Sequence, residues 1–89
     1  PFGKPIVSSV GIVSGGAAGD VRQAFAMGLD CYISGELNLV ARNFAKDAGI
    51  DMIAAGHYAT ETFGPRAVAG WLSERFKIPV DFIDFRLPW

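Results

Sequence analysis

The stretch IVSSVGIVSGGAAGDVRQAFAMG, residues 6–28, decides the fold. Its first half is a run of β-branched residues, Ile6, Val7, Val10, Ile12 and Val13, which favours an extended, largely buried strand. The glycine pair Gly15–Gly16 punctuates it, and Val21, Ala24, Phe25 and Gly28 then recur at helical spacing. A strand that runs straight into a helix cannot pair with its successor through a tight turn, so the next strand must lie parallel to it.

The same alternation continues outward. LDCYISG, residues 29–35, reads as a second strand, and ELNLVARNFAKDAG, residues 36–49, repeats the helical period through Leu37, Val40, Ala41 and Phe44 and stops at Gly49. IDMIAAG, residues 50–56, is a third apolar run. A helix with Phe63, Ala67, Val68, Trp71, Leu72 and Phe76 on its apolar stripe follows, and it is expected to bury Phe63, Val68, Trp71 and Leu72. Because Pro65 would clash inside a helix begun before Thr60, this helix is expected to start near Phe63 with Thr62 as its cap, leaving HYATE as a separate turn or short helical piece. The alternating IPVDFIDF, residues 78–85, reads as a closing strand. The predicted class is α/β, a single domain over residues 1–89, with the order βαβαβαβ and a mainly parallel sheet of about four strands covered on both faces.

Composition bounds the function. The 89 residues are 51% hydrophobic with a formal net charge of −1, from 8 Lys and Arg against 9 Asp and Glu. That balance, with no basic run, gives no electrostatic footprint for nucleic acid or for an anionic membrane surface. No apolar stretch reaches the roughly 18 residues of a membrane-spanning helix, and the opening PFGKP lacks the layout of a signal peptide. The single cysteine, Cys31, cannot form an internal disulfide, which fits a reducing, cytoplasmic setting. Without Lys, Arg or His near it in sequence, it reads as a small buried strand residue rather than a reactive thiol. A domain of this size buries only about 60–65% of the surface its unfolded chain exposes, so help from more chain or a partner is expected.

Three strand-to-helix turns carry the functional reading: SGGAAG at 14–19, SGE at 34–36 and AGHYATE at 55–61. In an open parallel sheet such turns share the edge beyond the carboxyl ends of the strands, where ligands bind. Ser14, Glu36, His57 and Glu61 would gather there, and like charges brought together need a neutraliser, most simply a divalent metal. His57 is the only histidine, and Glu61 lies four residues on, close enough on one helical face to share or bridge cations. The spacing H-x-x-x-E is common by chance, and a hydrogen-bonded structural histidine is the competing reading. Glu36 reads equally well as a solvated residue near the positive end of its helix, and Thr60 as the cap of a short turn. A further alternative is a phosphate-binding turn at SGGAAGD with Glu36 about 20 residues downstream, although Ser14 stands where the first glycine of such a motif belongs.

GHYATETFGPRAVAGWL followed by FKIPVDFID, with DCYISGE and VSGGAAG before them, resembles the C-terminal part of the Nif-three-like dinuclear metal-centre family. The resemblance covers nearly the whole chain. It implies a two-metal site, of Zn, Fe, Mn or Mg, in which His57 and Glu61 are ligands. It further implies that an N-terminal half supplies the remaining ligands, so that this chain is the C-terminal portion of a polypeptide two to three times longer; the opening at Pro1 agrees with that expectation. Ser34 departs from the family in replacing a threonine, and no departure removes a ligand. The family is labelled as GTP cyclohydrolase-like, which implies a metal-dependent hydrolase acting on a small phosphorylated or nucleotide substrate. In that scheme Glu36 is a candidate catalytic residue orienting water, and Thr60 and Ser14 support the ligands or the substrate. The resemblance also implies a toroidal homohexamer. A structural or regulatory metal-binding module is the alternative from a different class.

Overall fold

The β-branched and aromatic residues of the three apolar runs pair as strands: β1 (Val10–Val13), β2 (Cys31–Ser34) and β3 (Asp51–Ala54). They appear in a computed structural model that describes residues 1–89. The strands are parallel in the order β1-β2-β3, with Val10 opposite Cys31 and Cys31 opposite Asp51. Each crossover is helical. A short 3₁₀ turn at Ala18–Asp20 leads into α1 (Val21–Ala26), and α2 (Leu39–Ala48) joins β2 to β3. Asn38 caps α2 by accepting the Ala41 N–H at 2.8 Å, and Gly49 ends it in the left-handed conformation at φ 75°, which glycine adopts without steric cost.

The register decides where the core lies. Gly11, Tyr32 and Met52 share one face of the sheet, and α1 and α2 cover it; a Cβ at Gly11 would meet the Leu29 side chain at 2.9 Å. Ala18, Val21, Ala24, Tyr32, Ala41, Ala45 and Ile50 form the buried centre, with Phe2, Leu29, Phe44 and Met52 packed against it. Phe25 and Phe44 close the α1–α2 contact edge to face, with ring centroids 5.8 Å apart. Small residues, four of them alanines, dominate this core. Tyr32 is its one large member, and its hydroxyl donates to Ala17 O at 2.6 Å, holding the turn after β1.

Two sequence expectations are corrected. The sheet has three strands, not four: residues 77–89 contain no helix or strand, and IPVDFIDF pairs with nothing. Helices cover one face rather than both. The opposite face carries Val10, Ile12, Cys31, Ile33, Asp51 and Ile53, and Ile12 is 70% exposed. Cys31 is nonetheless buried, as expected, and burial raises its thiol pKa, with the Asp51 charge adding to the effect.

The last helix packs chiefly against the short helix before it rather than against the sheet. HYATE forms the short α3 (His57–Glu61), and α4 (Phe63–Phe76) starts at Phe63 as expected. Pro65 occupies the first turn of α4, where no intrahelical N–H is needed. Thr62 does not cap α4 with its side chain; its hydroxyl donates to Ala59 O at 3.1 Å instead. None of α4 is buried, and Phe63, Val68 and Trp71 are more than half exposed, contrary to the amphipathic reading. The result is an elongated molecule, 51 × 25 × 20 Å, with a radius of gyration of 16.1 Å. A compact chain of this length would have about 12 Å.

Candidate metal centre

All three turns lie at the carboxyl edge of the sheet, as the parallel order requires. The 34–36 turn brings Glu36 and α3 brings His57 and Glu61 to one place. His57 Nδ1 lies 2.5 Å from Glu36 Oε1, and its Nε2 lies 3.2 Å from Glu61 Oε2. The imidazole is clasped between two carboxylates, and all three side chains stay substantially solvent-accessible. Its pKa is raised above the ordinary value of 6.5, chiefly by the hydrogen bond that its Nδ1–H donates to the Glu36 carboxylate; desolvation opposes this and the Glu61 and Glu36 charges reinforce it.

The floor of the cluster is glycine backbone. Gly15 has φ 70°, and a Cβ there would collide with the Glu61 carboxylate; a Cβ at Gly16 would sit 3.6 Å from Glu36 Oε2 and 3.7 Å from His57 Cε1. Side chains at 15 and 16 would fill the space in which the acidic and imidazole groups meet. A Cβ on Gly35 would strike the Gly15 backbone and come within 2.8 Å of Thr60 Oγ1. The turns after β1 and β2 therefore touch through bare backbone, a role for Gly15 and Gly35 that their sequence neighbours do not reveal.

Thr60 ties the arrangement together rather than touching a carboxylate. Its Oγ1 accepts the Gly15 N–H at 3.0 Å, and its hydroxyl proton is shared between Gly56 O at 2.8 Å and His57 O at 3.0 Å. The buried Ser34 performs a similar task for Glu36, its hydroxyl donating to Glu36 O at 2.6 Å. Ser34 was noted in the sequence only as a departure from a family pattern. Ser14 follows β1 at the same edge, exposed, and makes no hydrogen bond to the cluster.

The donor set suits a divalent cation in kind: one imidazole and two carboxylates, half-exposed, over a glycine cradle. It is incomplete in number and geometry. Glu36 and Glu61 engage different ring nitrogens, so the three form a row, and no three His, Cys, Asp or Glu side chains of the chain converge on a single metal position. A catalytic zinc site usually has three protein ligands about one point, and harder metals require about six donors.

A parallel α/β unit with a histidine–carboxylate cluster at its strand ends is the class that these elements define. Residues 2–87 match the family model Duf34/NIF3 (NGG1p interacting factor 3), and the chain belongs to that family. It is 41% identical over 83 residues to a GTP cyclohydrolase 1 type 2 homolog of Deinococcus radiodurans, covering 93% of this chain and 32% of the relative. A protein of the same description from Pseudomonas aeruginosa is 43% identical over 82 residues, covering 92% of this chain and 32% of the relative. Among solved structures, one described as protein ybgI, of unknown function, is similar with a TM-score of 0.95 and 35% identity; the match covers 99% of this chain and 36% of that one. The chain thus spans about a third of the length of the relatives it matches. No helix is long and apolar enough to cross a membrane.

Proposed function

We propose that this chain supplies one side of a two-metal centre, with His57 and Glu61 as ligands and Glu36 beside them. The observation that carries the reading is the clasp of the sole histidine between Glu36 and Glu61 over a side-chain-free floor. Holding two carboxylates together costs stability unless a cation compensates, and one imidazole offsets only part of that charge. The remaining ligands would come from the two thirds of a full-length family member that lie outside this chain.

Divalent ions bound there would supply Lewis acidity that activates water and polarises a phosphoryl oxygen, which supports a hydrolase acting on a small phosphorylated or nucleotide substrate. The names of the curated relatives agree with this class. In this scheme His57 and Glu61 hold the metal, Glu36 orients the reacting water, and Thr60 keeps α3 fixed against the Gly15 turn. Ser14, exposed at the same edge, is free to meet the substrate. The reading extends to a homohexamer in a reducing cytoplasm, for which sedimentation of the full-length protein would give six times the chain mass.

Elemental analysis of the full-length protein tests the proposal. His57→Ala and Glu61→Gln should each remove at least one metal per chain while the circular dichroism spectrum stays unchanged. Normal metal content in folded His57→Ala protein would make His57 a structural residue. Turnover of a candidate nucleotide that requires added metal would separate an enzyme from a structural or regulatory module.

A further inference from the structure

We propose that Glu36 is a positioning residue for His57: its Oε1 keeps the imidazole proton on Nδ1, so that Nε2 presents its lone pair on the side of Glu61. This role rests on the proposed metal centre and specifies the ring nitrogen left free to ligate. A neutral imidazole has one N–H and one lone pair. Each nitrogen of His57 faces a carboxylate, and the two contacts differ: Nδ1 lies 2.5 Å from Glu36 Oε1, whereas Nε2 lies 3.2 Å from Glu61 Oε2. Hydrogen bonds from nitrogen to an ionised carboxylate are short, about 2.7–2.9 Å, so the closer contact takes the proton. Nε2 is then left with its lone pair toward a second carboxylate, which repels it unless a cation lies between them. A histidine that ligates a metal characteristically donates its other N–H to a carboxylate or carbonyl, which fixes tautomer and ring orientation.

Glu36 is itself held in place. The buried Ser34 hydroxyl donates to Glu36 O at 2.6 Å, and Gly35 packs against the bare backbone of Gly15, so the turn that carries the carboxylate is fixed at its base. The His57 and Glu36 side chains are 36% and 52% exposed. Solvent screens pairs of that kind, and they contribute little to stability. Orientation of the ring is the effect that remains. Only Oε1 of Glu36 is engaged within the chain, so Oε2 stays open to water on the side of Gly16.

His57 is the only histidine, so two-bond ¹H–¹⁵N correlation spectra of the metal-free 89-residue chain, at a pH where the imidazole is neutral, report its tautomer directly. Nδ1 should be the protonated nitrogen. In Glu36→Ala the proton should pass to Nε2, and the zinc affinity of the full-length protein should fall about 10–100-fold. Glu36→Gln, whose side-chain carbonyl still accepts from Nδ1–H, should restore the tautomer and most of the affinity. A wild-type chain with the proton on Nε2 would overturn the proposal whatever the variants do. So would folded Glu36→Ala protein that keeps either Nδ1–H or the wild-type zinc affinity. Because the spectra are recorded without metal, a full-length protein that binds no zinc would refute the metal centre itself, while Nδ1–H lost in Glu36→Ala would still support the orienting bond.

Discussion

At the scale of single residues, the turns are joined by a few short side chains whose effect exceeds their size. Thr60 is one: its hydroxyl is the only partner of the buried Gly15 N–H. Thr60→Val should cost about 1–3 kcal/mol, the usual cost of stranding a buried donor, and urea unfolding would measure it. Asp30 anchors the opposite end of the chain, accepting the Ser8 N–H at 2.9 Å and pairing with Lys4 at 3.3 Å. The Ser8 bond first, and then Lys4, hold its pKa below 3.8. A depressed carboxylate contributes stability that is present above its unfolded pKa and lost as pH falls through the folded one. The Ser8 amide resonance should accordingly shift only in acid below about pH 4, and Asp30→Asn should remove that step. The meeting of Glu36, His57 and Glu61 was legible in the sequence because parallel topology sends every strand-to-helix turn to one edge. The roles of Gly15, Gly35, Ser34 and Thr60 were not, because contact between turns 20–45 residues apart leaves no local periodicity.

At the scale of elements, three strands and the helices between them followed from hydrophobic period and from the stop at Gly49, which lies in the left-handed region. The separate HYATE turn was legible too, through the restriction that Pro65 imposes. IPVDFIDF had the alternation of a strand without a neighbour to pair with, and alternation alone cannot supply one. The stripe on α4 misled for a related reason: period identifies an apolar face and says nothing of what covers it. Trp71 is 59% exposed and meets Phe76 edge to face at 6.0 Å. In the isolated chain, Trp71→Ala should therefore cost only about 0.5–1 kcal/mol, not the roughly 3–5 kcal/mol of a buried tryptophan. The larger value should appear in the full-length protein if α4 is covered there. Chemical denaturation of the two proteins, each with and without the substitution, measures both.

At the scale of the whole molecule, one feature recurs in several forms: a parallel sheet with one face open, a helix with no buried residue, an unpaired strand-like tail and a row of three candidate donors that surround no common point. All-parallel sheets are found almost only with both faces covered. Each surface left incomplete here belongs to a chain that spans about a third of its relatives' length. The candidate donor cluster and the architecture are thus incomplete in the same sense, and the central proposal is that this chain holds part of a divalent-metal site. Calorimetric titration of zinc into the 89-residue chain, beside the metal-stripped full-length protein, tests it most directly. The account predicts weak binding that fails to reach two metals per isolated chain, and tight binding of two metals by the full-length protein. Tight two-metal binding by the 89-residue chain alone would contradict it.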